Sequence, residues 1–181
     1  MASPEQDIAT VKHAVAREVK VGDDDVKVQV LDDVDVPGIT VFLATVHRDK
    51  AGRFLARSGI VEGGKLFSEA AAMARVARAW GYGAKRTVPP ETVAEVFGAL
   101  HVATASATAM YDPDTIEAFK KTAKPRRAAA LAMPRETTVN GLPAVTYCVS
   151  SSAPSVLFST VTAVIHPDFR VELHAQKVID E

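Results

Sequence analysis

Apolar residues recur at helical spacing from the start of the chain. Ile8, Val11, Val15 and Val19 share one stripe, which predicts an amphipathic helix over residues 4–20, opened by Pro4 after a capping Ser3. The turn Val21-Gly22-Asp23-Asp24-Asp25 should end it. The period then changes to two. Val26-Lys27-Val28-Gln29-Val30 alternates strictly, as a half-buried strand does. Asp32, Asp33, Asp35, Pro37 and Gly38 mark a loop, and strands are expected over 39–46 and 53–61 around the turn Asp49-Lys50-Ala51-Gly52.

That turn suggests a register in which Asp49 faces Arg53. One face then carries Phe42, Ala44, Val46, Phe54, Ala56 and Ile60. The other carries Val41, Leu43, Leu55 and Val61 beside Thr45, His47 and Arg57. Both faces are apolar, whereas an antiparallel sheet with one wet face divides more cleanly. Both should therefore be covered: one by helices, the other by a second sheet, a loop or a second subunit.

The middle of the chain is helical in pattern. Ser68 caps an alanine-rich helix running to Trp80, stopped by Gly81 and Gly83. Pro89-Pro90-Glu91 opens another, with Val93, Val96, Phe97 and Leu100 on one face. It is read as continuing through Val102–Thr108, although that stretch also fits a period of two. Asp112-Pro113-Asp114 caps a short helix ending at Lys120-Lys121.

The last third reads as strands. Residues 128–139 form an extended segment interrupted near Pro134, Asn140-Gly141 is a hairpin turn, and 144–149 is the next strand. Residues 150–154 read as a loop. Residues 156–165 and 171–178 form a hairpin. Pairing His166 with Arg170 puts Val161, Ala163, Ile165, Val171 and Leu173 on one face. Thr160, Thr162, His166, Arg170, Glu172 and His174 take the other. This register requires Phe169 where glycine would be easier.

The fold class is thus α+β: antiparallel hairpins, an N-terminal helix and a mid-chain helical group. A helix followed by strands occurs twice, about a hundred residues apart, a pattern of internal pseudo-repetition. The chain is expected to form a single unit over 1–181, subdivided into 1–66 (helix plus three strands), 67–126 (helical) and 127–181 (antiparallel strands).

Composition narrows the function classes. The 181 residues carry a net charge of −1, so no global attraction draws the chain to nucleic acid or membrane. The N-terminus lacks the basic start and apolar run of a signal peptide, and no apolar run approaches the roughly 18 residues of a membrane span. A single cysteine, Cys148, fits a reducing compartment. The expected location is a bacterial-type cytoplasm. Charge is uneven: residues 1–46 hold nine acids and four bases, 47–127 eight and fourteen, 128–181 five and three.

Candidate chemistry is sparse. The five histidines, His13, His47, His101, His166 and His174, include no pair at helical ligand spacing. His166 and His174 should lie roughly 13 Å apart along their hairpin, so neither a metal site nor a cofactor is expected. Cys148, within a strand, is read first as a core residue. Glu62-Gly63-Gly64-Lys65 reads as a strand-to-helix turn needing glycine dihedrals, with anion binding as the sharper alternative.

The reading favoured first is a non-catalytic protein-interaction or ligand-binding module that self-associates as a homodimer through the two-sided first hairpin. A second is a small enzyme or small-molecule binder using a cleft between sheet and helices, with His47, His101 and Cys148 as its chemical groups. A third is anion or nucleic-acid binding through Lys65, Arg75, Arg78, Lys85, Arg86, Lys120, Lys121, Lys124, Arg126 and Arg127, some of them near Trp80 and Tyr82. The near-neutral total charge disfavours nucleic acid.

Overall fold

Pro4–Val19 forms α1, with Val11, Val15 and Ala16 buried along its stripe. Lys20 adopts φ 60, and Val21 N–H donates to the Ala16 carbonyl at 3.0 Å, closing the helix in a left-handed cap. A short 3-10 turn at Asp23–Asp25 leads into β1 (Val26–Val30), β2 (Ile39–His47), β3 (Phe54–Glu62) and β4 (Lys65–Phe67). These form sheet 1, an antiparallel meander in the order β1-β2-β3-β4. Helices α2 (Glu69–Trp80) and α3 (Pro90–His101) follow, then β5 (Ala107–Met110) and α4 (Pro113–Thr122). Sheet 2 is closed by β6 (Arg135–Val139), β7 (Leu142–Ser151), β8 (Leu157–Ile165) and β9 (Val171–Val178). Its order is β5-β7-β8-β9, with β6 pairing β7 along the same edge as β5. The computed structural model describes residues 4–47, 54–82, 88–101, 107–110, 112–122, 128, 131–151 and 157–178.

The layers follow from where the apolar faces find partners. Helix α1 covers one face of sheet 1, packing Val11, Val15 and Ala16 on Val26, Phe42, Ala44, Val46 and Val61. Helices α2 and α3 lie between the sheets. Met73, Val76, Trp80, Val93, Phe97 and Leu100 join Val41 and Ile60 of sheet 1 to Val145, Tyr147, Val161 and Ile165 of sheet 2 in one core. Ile116 and Phe119 of α4 pack on Cys148 and Phe158 at the opposite face of sheet 2, together with Leu131 and Met133. The order of layers is α1, sheet 1, α2 with α3, sheet 2, α4. A helix and a four-strand meander therefore occur twice, α1 with β1–β4 and α4 with β6–β9, each helix on the outer face of its sheet.

The first hairpin departs from its expected register by one residue. Val46 pairs with Leu55, Ala44 with Arg57 and Phe42 with Gly59. Val61 therefore joins Phe42 and Ala44 beneath α1, while Ala56 and Ile60 turn toward the inner helices. The physical reason is the Phe42–Gly59 pair. A Cβ on Gly59 would lie 2.9 Å from Phe42 Cζ and 2.5 Å from the Phe67 carbonyl, so the ring occupies the room a side chain would need. The turn that suggested the other register lies outside the described residues.

Other differences are local. Glu62-Gly63-Gly64-Lys65 is a two-residue hairpin, Glu62 pairing with Lys65 and both glycines at positive φ (57 and 74). The turn takes the glycine dihedrals its sequence requires, and a short strand, β4, separates it from α2. Residues 107–110 are a strand rather than the end of a helix, and the last third begins its strand at Arg135 rather than at 128. By contrast, Asn140 and Gly141 form the expected turn at φ 52 and 77. His166 N–H donates to the Arg170 carbonyl at 2.9 Å with Phe169 at φ 67, as its register required. No helix among the described residues is long and apolar enough to cross a membrane.

Candidate functional site

Of the residues offered as catalytic groups, His101 and Cys148 lie on opposite sides of sheet 2. His101 ends α3, exposed. The neighbouring Leu100 carbonyl accepts a 3.3 Å hydrogen bond from buried Ser58 Oγ of sheet 1. Cys148 is 3% exposed beneath α4, on the face of sheet 2 turned away from α3, so the sheet itself separates it from His101. The backbone of His47 ends β2 opposite Phe54, and its side chain lies outside the described residues.

The basic candidates divide between the two sides of sheet 2. Arg75 of α2 is paired with Glu62 and lies over the Phe67 ring, 3.6 Å from its centroid. Arg78 lies 5.7 Å from the Phe169 ring. Lys65 is exposed at the β3–β4 turn. On α4, Lys120 Nζ donates to Glu117 Oε1 at 2.8 Å, which holds the Glu117 carboxyl below its usual range, and Lys121 is exposed. Lys85, Arg86, Lys124, Arg126 and Arg127 lie outside the described residues. The nearby aromatics are not open to stacking. Trp80 is 2% exposed and donates its indole N–H to the Asp35 carbonyl at 3.1 Å, and Tyr82 is buried. Burial and the Glu136 carboxylate push the Tyr82 phenol up to about 12.

A polar cluster lies at the β8–β9 hairpin, on the outer face of sheet 2. Strand alternation sets His166, Arg170, Glu172 and His174 on that side. Glu172 holds both histidines. Its Oε2 is 3.1 Å from His166 Nε2, and its Oε1 is 3.4 Å from His174 Nε2. One guanidinium nitrogen of Arg170 lies 3.3 Å from each ring nitrogen of His166. Asp168 Oδ1 accepts the Arg170 N–H at 3.1 Å, fixing the turn. The shared face was legible from the register. The role of Glu172 between the rings was not, because side-chain lean is invisible to spacing. Among the described residues no group of three or more His, Cys, Asp or Glu is arranged to hold a metal.

Beside this cluster runs an edge. Strand β9 pairs with β8 on one side and, among the described residues, with no strand on the other. Antiparallel pairs alternate between hydrogen-bonded and non-bonded. With His166 bonded to Arg170, the bonded partners are Glu172, His174 and Gln176. The backbone groups of Val171, Leu173, Ala175 and Lys177 therefore point away from the sheet. Ala175 and Lys177 are exposed, and Leu173 is half-buried against the inner core. Such a row of outward amides and carbonyls is a template for another strand. Comparisons with protein-family models, with curated proteins and with solved structures find no match for this chain.

Proposed function

We propose that this chain is a protein-interaction module of the cytoplasm, non-catalytic, whose binding surface is the outward edge of β9. The observation that carries the reading is the eight-residue strand Val171–Val178, with its outward backbone groups beside a charged cluster. The two-sided apolar character of the first hairpin no longer argues for an interface. Helix α1 covers one of its faces and α2 with α3 the other. The binding surface is accordingly assigned to sheet 2.

The test is Ala175→Pro. Proline removes one outward N–H and leaves the β8–β9 ladder intact, since Ala175 does not bond to β8. Unchanged Trp80 fluorescence would show that the fold is kept. A partner retained from host lysate by the wild type at high salt, and lost by the variant, supports the edge as the binding surface. Equal retention by both overturns it.

A further inference from the structure

We infer that the occupant of the β9 edge is a second copy of the chain, meeting it antiparallel with Leu173 on the two-fold axis. This rests on the reading of β9 as the binding edge. A two-fold antiparallel pair must set outward residues against outward residues, so the axis passes through one residue of β9. The choice among axes is a question of which side chains then face each other. An axis at Glu172 opposes two carboxylates. One at His174 opposes two imidazoles and sets Glu172 against Gln176 of the second copy. One at Ala175 sets Leu173 against a lysine at 177 and Glu172 against a valine at 178.

The axis at Leu173 matches on both faces. On the inner face Leu173 meets Leu173, and Val171 meets Ala175 twice. On the outer face Glu172 meets His174 twice. These last are non-bonded pairs across the new edge, the kind that brings side chains closest. Glu172 already lies 3.4 Å from the His174 of its own strand. The dimer would therefore set carboxylate and imidazole alternately around the axis, four groups in one cluster. Charge complementarity of this kind fixes register and penalises the alternatives.

The experiment combines light scattering with single-cysteine cross-linking of the full chain. Leu173→Cys, His174→Cys and Ala175→Cys are oxidised in parallel, with the wild type as control for Cys148, which is buried. In the proposed register the two residues at 173 stand about 5.5 Å apart at Cα, within disulfide reach, whereas those at 174 and 175 exceed roughly 7 Å. Leu173→Cys should form a linked dimer at least about tenfold faster than the other two.

Glu172→His alone should weaken the wild-type dimer by at least about tenfold, since it affects two contacts on the axis. Combining it with His174→Glu should restore affinity, which also covers the case in which Leu173→Cys does not fold. A dimer that cross-links best through 174 or 175, or one indifferent to the charge swap, overturns the register. A monomer at every concentration whose lysate partner is lost by Ala175→Pro overturns self-pairing and leaves the β9 edge as the binding surface. A monomer whose partner is insensitive to Ala175→Pro removes both.

Discussion

Tyr147 sits 1% exposed in the core between the sheets, and its hydroxyl finds no hydrogen-bond partner among the described residues. Burial holds its phenol far above the usual range. An unpaired buried hydroxyl carries a desolvation cost with no return. Tyr147→Phe should therefore raise stability by about 1 kcal/mol, read as a higher urea midpoint at unchanged slope. A lower midpoint would mean that the hydroxyl is bonded in solution. Tyr82 offers a second test, at alkaline pH. Its phenol is raised from 10.0 to about 12, so the folded state keeps a proton that the unfolded state releases. The corresponding stability is complete below pH 10 and is lost as pH rises from there through about 12. Phenolate absorbance should show this tyrosine titrating late, and Tyr82→Phe should flatten the alkaline loss of stability. Tyr147 adds to the loss above pH 10, so the size of the change decides: a Tyr82→Phe variant that loses as much stability as the wild type would assign the loss elsewhere.

Helix α3 and strand β5 approach so closely that only glycine fits at their crossing. A Cβ on Gly98 would stand 2.1 Å from the Cβ of Ala109. Gly98→Ala should cost roughly 1–3 kcal/mol by overpacking. Adding Ala109→Gly should recover much of that cost, and a double-mutant cycle measures the coupling. Additive losses would place the strain at another contact. The stretch between α3 and β5 is ambiguous in sequence for a local reason. Val102–Thr108 is built of small residues, with Thr104, Ser106 and Thr108 alternating with alanines, and its pattern fits both periods. A strand at 107–110 became the outcome because β7 supplies a ladder there, pairing Ala109 with Val149. The two hairpins differ in the same sense. The His166–Arg170 register was legible because one face was apolar and the other polar. In the first hairpin both faces are apolar, so burial could not choose between registers one residue apart.

Across the whole molecule, α2 and α3 join the two sheets through one core. Trp80 stands in that core, against Phe97 at a ring distance of 6.0 Å and bonded to the Asp35 carbonyl ahead of β2. Its fluorescence should therefore be lost together with far-UV circular dichroism in one urea transition. Two separated transitions would show the sheets unfolding as independent units. The sequence by itself determined α1, α2, α4 and the strands β1, β2 and β3, together with the Asn140-Gly141 turn and the last hairpin, because dihedral preference and apolar period act within a few residues. The tertiary structure alone decided that α1 and the inner helices cover opposite faces of sheet 1. It also decided that Phe42 pairs with Gly59, that Cys148 and His101 lie on opposite sides of sheet 2, and that Glu172 stands between two histidines. Those outcomes depend on which distant surfaces meet, and a pattern of periods specifies how apolar a face is without naming what covers it.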